Sequence, residues 1–307
     1  MTLVDEIREG CAWVAARATH VTIDADAIPS YARALPGAEA APGLDPAVHV
    51  VEGPLEGRAA FHLTLDAINF GSGWFPTLRK RDGRSGYWTV ALGLRERFAA
   101  DGAWSAAELR AIGAAEVATT LGQDPQHELM ALFARSLNDL GARLEAEHAG
   151  RFLGPVGQAG GSAVALAELL ASWDCFADAS PYQGRRIPFC KRAQIAAADL
   201  HHAGAAQFDD LDRLTLFADN LVPHVLRLDG ILRFDPALTA RIETEQLIAH
   251  DSREEVEMRA CAVHAAELIC RARPDLTAQQ VDHLLWTKGA GARYKGVPRP
   301  RARCTAY

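Results

Sequence analysis

SREEVEMRACAVHAAELI, residues 252–269, carries the reading that decides the fold. Ser252 stands three residues before Glu255, the spacing of a capping box, in which two side chains satisfy free N–H groups at a helix start. Behind it Val256, Cys261, Val263, His264, Leu268 and Ile269 return with a period near 3.6, the stripe of a helix packed on a core. The same punctuation recurs outward along the chain. Ser105 with Glu108 and Thr277 with Gln280 repeat the box spacing, and Asp124 before Pro125 and Asp235 before Pro236 add two further helix starts. Leu129, Leu132, Phe133, Leu137, Leu140 and Leu144 form a second stripe. Strand signals are sparse: His49 to Val51, and Ile231 to Phe234 after Gly230, both peripheral. No segment repeats with a period of 20 to 50 residues, so a solenoid is not supported. The expected fold is mostly α, a compact multi-helix arrangement with at most a few short peripheral strands.

Composition narrows the function classes. The 307 residues are 49% hydrophobic and 23% charged, as in ordinary globular proteins, which excludes disorder and collagen. No stretch has the uninterrupted apolar length of a membrane span, and the start carries Asp5, Glu6 and Glu9 in place of a basic leader, so a cytosolic protein without a membrane partner is expected. Six scattered cysteines, with no C-x-x-C pair, read as reduced thiols and not as a metal or disulfide framework. A formal charge of −7 argues against non-specific binding to duplex nucleic acid but leaves room for a small anionic ligand.

Four irregular stretches punctuate the helices: Leu35 to Pro46 as a connector, Asn69 to Gly86, Gly150 to Ser162 with five glycines, and Trp173 to Pro188. None has a linker's composition, so residues 1–307 read as one compact unit with room for two lobes. Walker A, G-x-S-x-G, H-E-x-x-H and G-x-G-x-x-G motifs are all missing. Two basic clusters stand out. Residues 185–192 hold Arg185, Arg186, Lys191 and Arg192 without an acid, and residues 288–307 hold six Lys or Arg without an acid. Each is either a solvated surface, the commoner case, or a phosphate site. Trp286, Tyr294 and Tyr307 suggest that the second is docked. Among the acids, Asp219 follows the apolar run Leu214 to Ala218; it is either a partly buried site carboxylate or the cap of a helix starting near Val222.

Four further strings share one resemblance. They are Leu65-Asp66-Ala67-Ile68-Asn69-Phe70-Gly71-Ser72-Gly73-Trp74-Phe75-Pro76, Ile187 to Ile195 with Ala198-Asp199, Leu214 to Pro223, and Glu255-Val256-Glu257-Met258-Arg259. In this order over most of the chain, and on to Trp286 and Pro298 to Tyr307, the sequence resembles the queuosine salvage protein family. The resemblance implies a largely helical fold like that of DNA glycosylases and hydrolysis of queuosine 5'-monophosphate to queuine and ribose 5-phosphate. It implies no cofactor and no stable nucleic-acid or obligate protein partner. Two positions depart from the family pattern: Asn220 stands where many relatives have Tyr, and Cys190 replaces a larger residue before the lysine.

Cleaving an N-ribosidic bond builds positive charge on the sugar and negative charge on the leaving base. On the resemblance, Asp219 is expected on the sugar side and Lys191, matching the family's active-site lysine, at hydroxyl or phosphate contacts. Phe70 and Trp74 are either stacking faces for the base or core packing. Asn69 is expected at the base edge, with Arg192 and Asn220 as further substrate contacts, and Asp66 or Glu257 facing the cationic amine of queuine. Two rivals remain at this point: a DNA or RNA base-excision glycosylase, which needs a continuous basic track, and a non-enzymatic carrier of modified nucleotides.

Overall fold

The computed structural model describes residues 1–40, 43–81 and 83–307. Its helices are α1 (Leu3–Ala15), α2 (Ile28–Ala34), α3 (Leu55–Ala67), α4 (Gly86–Asp101), α5 (Ala106–Ala111), α6 (Ala114–Leu121), α7 (Glu128–His148), α8 (Leu153–Ala159) and α9 (Ala163–Ala171). They continue with α10 (Lys191–His202), α11 (Leu221–Leu228), α12 (Pro236–Glu243), α13 (Arg253–Ala272), α14 (Ala278–Gly289) and α15 (Ala292–Lys295). The expectation of a mostly α fold is met. Two antiparallel pairs complete it: β1 (Val21–Ile23) with β4 (Leu232–Phe234), Val21 opposite Phe234, and the hairpin β2 (Ala179–Tyr182) with β3 (Arg185–Pro188).

α13, the helix of the opening quotation, lies at the centre. Its residues from Glu255 to Val263 are all buried, together with Ala265, Ala266 and Ile269. A helix buried almost all round needs small side chains so that neighbours can approach, and Ala260, Ala262, Ala265 and Ala266 supply them. It packs against α1, α2, α11 and α14. On the other side α7 buries Leu129, Met130, Phe133, Leu137, Leu140 and Leu144 along one stripe. α5 crosses it at Gly141, where a Cβ would collide with the Ala106 carbonyl and the Arg110 amide. One continuous set of buried apolar side chains runs from Val4 to Tyr294. No helix among the described residues is long and apolar enough to cross a membrane.

The boxes at Ser105 and Thr277 are complete. At Ser252 half forms: the hydroxyl accepts from the Glu255 amide at 3.3 Å, while the Glu255 carboxylate turns back to the Asp251 amide, 2.8 Å, and His250 Nδ1, 3.0 Å. Asp235 caps α12 by accepting from the Leu238 amide at 2.8 Å. Asp124 does not start α7; it closes a turn onto the Gln126 amide, and His127 caps three residues later by accepting from the Leu129 amide. The strand expected at His49 to Val51 is absent because its backbone finds no ladder. The His49 amide bonds Asp45 O, and Val50 O is taken by a side chain, His62 Nε2 at 3.1 Å. The stretch 173–188 is instead a hairpin, turned at Gln183 (φ 46°) and Gly184 (φ 79°), the left-handed pair that fits the strand twist. The 150–162 stretch contains α8, and the connector 35–46 contains a short 3₁₀ turn, Ala38–Ala40; its positions 41 and 42, and position 82 of the 69–86 stretch, lie outside the described residues.

Candidate active site

The site is assembled around Asp178, the residue before β2. Its backbone carbonyl accepts from the Phe189 and Cys190 amides, and its Oδ2 accepts from the Lys191 amide at 3.0 Å, fixing the start of α10. Cys190 sits at φ 49°, a left-handed turn that aims the helix. From α13, Arg259 grips the same carboxylate with both guanidinium nitrogens, 2.9 and 2.7 Å, and donates Nε to the Ala218 carbonyl at 3.0 Å. Both partners are about 1% exposed. Burial alone would lower Arg259, but the Asp178 charge raises it well above the ordinary guanidinium value. One buried ion pair thus sets Lys191 on one side and, through Ala218, Asp219 on the other.

Asp219 proves to be both a cap and a cleft residue. Its Oδ1 accepts from the Leu221 and Val222 amides at 2.8 and 3.0 Å, at the start of α11, where a helix terminus favours negative charge. Its Oδ2 accepts nothing among the described residues. It borders a small cleft shared with Asn220, Pro223, Arg301 and Tyr307. Lys191, 6% exposed, donates Nζ to the Asn69 carbonyl at 3.1 Å and to Asn69 Oδ1 at 3.4 Å. Burial lowers its ammonium; the charge of Asp219 opposes this first, with Asp66 and Asp282 adding less and Arg192 working against them. On α14, Asp282 receives the Phe217 amide at 3.1 Å and is raised well above the carboxylate range by burial and by Asp219.

Two ends of opposite sign flank this centre. On one side the charge of Asp219 favours the Arg299 guanidinium while that of Arg301 opposes it, and Arg299 and Arg301, after burial, lower Lys80. Neither Arg299 nor Lys80 forms an ion pair among the described residues. On the other side stand His62 and Asp66 of α3, Asp199 of α10 and Tyr87 of α4. Asp199, Tyr87 and Arg299 are half-buried. Tyr87 Oη meets His49 Nε2 at 2.9 Å, and its ring meets the partly exposed Trp286 edge-on, centroids 6.2 Å apart.

Other expected site residues go elsewhere. Arg192 is 1% exposed and spends its donors on backbone carbonyls: Ala67 at 2.7 Å, Thr305 at 2.7 Å, Ala306 at 3.3 Å, and Cys175. It is a clamp on the tail and not a phosphate contact. Glu257, fully buried, receives the His20 amide at 2.6 Å, the Thr19 amide at 2.8 Å, the Val21 amide at 3.2 Å and Tyr182 Oη at 2.8 Å, so it anchors β1 and has no edge left for an amine. Phe70 packs edge-on to Phe133, 5.0 Å, beneath the Arg192 guanidinium, 5.0 Å, and is core. Trp74 is 5% exposed, donates Nε1 to Glu128 at 2.7 Å and supports Arg303, so it backs the tail wall and offers no open face. Asn220 donates Nδ2 to the Pro300 carbonyl at 2.8 Å. Asn69 and Asp66 do stand by Lys191. The basic tail is docked, as its aromatics suggested: the Gly71 amide bonds the Tyr307 carbonyl at 3.0 Å, and Ala302, Cys304, Ala306 and Tyr307 are buried.

Sequence reading missed Asp178, Asp282, Tyr87 and Arg299. Asp282 carried a weak signal, an acid on the apolar face of a helix; Asp178, between two alanines, carried none. Two sets of three donors, His62 with Asp66 and Asp199, and His250 with Glu255 and Cys304, each bring one atom per residue within 4.8 Å of the others. The second is already knitted by His250 to Glu255 at 3.0 Å, and Cys304 together with Glu255 raises His250 to about 10 against the pull of burial.

The model of the family described as queuosine salvage protein matches residues 49–307, which include every residue of the site. The chain belongs to the queuosine salvage protein family. It is similar to a queuosine 5'-phosphate N-glycosylase/hydrolase from Sphaerobacter thermophilus, 36% identical over 96% of this chain and 95% of that protein. Proteins of the same name from Mus musculus and Schizosaccharomyces pombe are 31% and 37% identical, over 56% of both chains and over 42% and 39% respectively. Within the family match, the segments that meet at Lys191 are those around Asn69 and Asp219, far apart in sequence and joined by the Asp178–Arg259 pair.

Proposed function

We propose that this chain hydrolyses the N-glycosidic bond of queuosine 5'-monophosphate, with water adding at C1' and queuine and ribose 5-phosphate leaving. The observation that carries the reading is Asp219, held by two amides on one oxygen, with the other unbonded among the described residues, and interacting by charge with the buried Lys191 and with Arg299. As the glycosidic bond breaks, a carboxylate so placed stabilises the sugar cation and orients the attacking water. Lys191 balances the charge of Asp219 and reaches the ribose hydroxyls. The opposite polarity of the two ends orients the nucleotide: Arg299, with Arg301 and Lys80, takes the phosphate, and the side of Asp66, Asp199 and Tyr87 takes the base, with Trp286 as a face for it.

The enzyme acts on a free nucleotide, without a nucleic-acid or protein partner, as one unit over residues 1–307. Its six unpaired cysteines suit a cytosolic setting.

Purified protein incubated with queuosine 5'-monophosphate, queuosine or GMP, beside an Asp219→Ala control, tests the reading by mass spectrometry of released base. Queuine released from the monophosphate by the wild type alone is the expected result. Equal release by the variant removes Asp219 from the mechanism. Binding of the monophosphate without any release leaves a carrier.

A further inference from the structure

α3 carries a fully buried carboxylate, Asp66, neither oxygen of which has a hydrogen-bond partner among the described residues. Asn69 is near enough to pull its pKa down slightly, yet outside bonding geometry. One turn earlier His62, also fully buried, uses Nε2 to donate to the Val50 carbonyl at 3.1 Å. A carbonyl only accepts, so the neutral ring keeps its proton on Nε2 and presents a bare Nδ1 lone pair, 3.9 Å from Asp199 Oδ2. Three buried acceptors therefore converge with nothing donated to them.

The charges that face this cluster come from each surrounding element: Lys191 and Arg192 from α10, Tyr87 from α4, His49 from the segment before α3, and the two acids themselves. Burial, then the charge of Asp199, raises Asp66 well above the carboxylate range; burial raises Asp199 to about 7, with Lys191 opposing. Donors reaching Asp66 would favour its charged form, as hydrogen bonds to a carboxylate do. The cluster already faces one ammonium, Lys191. It needs N–H donors, since a buried acceptor left unpaired is costly.

A carboxylate with both oxygens free matches a planar group that presents two adjacent N–H donors. In a nucleobase that group is the aminopyrimidinone edge, a ring N–H beside an exocyclic amine, which guanine and 7-deazaguanine share and adenine and hypoxanthine lack. We propose that Asp66 is the specificity-determining residue for the base, its two oxygens receiving the ring N–H and the exocyclic amine of that edge. The inference rests on the N-glycosidase reading above. It places the base on the far side of Lys191 from Asp219, with the sugar between them.

The test compares queuosine 5'-monophosphate with its analogue in which hydrogen replaces the exocyclic amine, in wild type, Asp66→Asn and Asp199→Asn. The two free bases are titrated by calorimetry alongside. Wild type is expected to prefer the amine-bearing nucleotide by about 100-fold or more in kcat/KM, because the analogue leaves a buried acceptor unpaired. Asp66→Asn should narrow that preference to within about tenfold while its melting temperature holds or rises; Asp199→Asn should keep it. A merely structural Asp66 would leave the ratio untouched, and an unchanged ratio overturns the proposal. So does a wild type with no preference, a result that needs no variant to fold. One equivalent of a divalent metal retained by the wild type and lost in Asp66→Asn likewise overturns it. If the wild type cleaves neither nucleotide, the N-glycosidase reading fails, and calorimetry still decides the edge: tighter wild-type binding of the amine-bearing base, lost in Asp66→Asn, supports the proposal, and equal binding refutes it.

Discussion

At the scale of single residues, the direction a side chain takes outweighs its type. Lys191 and Arg192 are neighbours, both basic and both buried, yet one ends at Asn69 beside Asp219 and the other on four carbonyls. Nothing in the string Lys-Arg distinguishes them; on the family resemblance the lysine was expected in the active site and the arginine at the substrate. Arg299 shows the converse, an arginine that its sequence surroundings do not single out among the six basic residues of the tail, yet one whose guanidinium is favoured by the charge of Asp219. Arg299→Ala should raise KM for the monophosphate by about 10- to 100-fold, the range for one lost charge-assisted hydrogen bond, and leave the nucleoside unaffected. Steady-state kinetics on both substrates checks this. Asp199 gives a pH-dependent prediction. Its pKa rises from 3.8 unfolded to about 7 folded, so the folded chain holds this proton more tightly, and the contribution of Asp199 to stability is largest below about pH 4 and is lost as pH rises through 7. Asp199→Asn removes the penalty. In denaturant unfolding, the variant should match wild type near pH 4 and exceed it by no more than about 4 kcal/mol at pH 8.

At the scale of elements, the helices were legible where the signal was local. Ser105, Thr277 and Asp235 cap as read, because a capping bond spans three residues and needs nothing else. The hairpin was not: Gln183-Gly184 is a modest turn signal, and its strands are held by pairing that a composition rich in Pro and Arg conceals. His49 to Val51 failed oppositely, its burial mimicking strand alternation without a partner to pair with. Glu257 was expected, with Asp66 as the alternative, to face an amine, and its burial was not legible, because its donors come from residues 19–21 and 182, over 70 positions away. Glu257→Gln should therefore lower stability by about 1–3 kcal/mol and leave substrate discrimination unchanged, as thermal unfolding and parallel kinetics would show. Asp178→Ala strands the Arg259 guanidinium in the core and should cost about 3–5 kcal/mol, measured by denaturant unfolding.

At the scale of the whole molecule, a net charge of −7 coexists with a strongly cationic corner, because the tail from Pro298 folds back over the loop at 69–76. The two surfaces touch at Gly73, where a Cβ would collide with the backbone at Ala302 and Arg303. Gly73→Ala should displace the tail without unfolding the helices. Limited proteolysis should then cut near residue 300 while far-ultraviolet circular dichroism holds, and turnover should fall at least tenfold, about the effect of a small misplacement of binding groups. The Asp178–Arg259 pair has a consequence of another kind. A reaction centre whose ammonium and carboxylate were mounted on separate supports could have either one retuned by substitutions nearby. Here a single mount serves both, so positional errors at the two groups are correlated. Changes around residue 178 should move substrate affinity and turnover together, and independent adjustment of the two is open only to side chains farther out along the cleft.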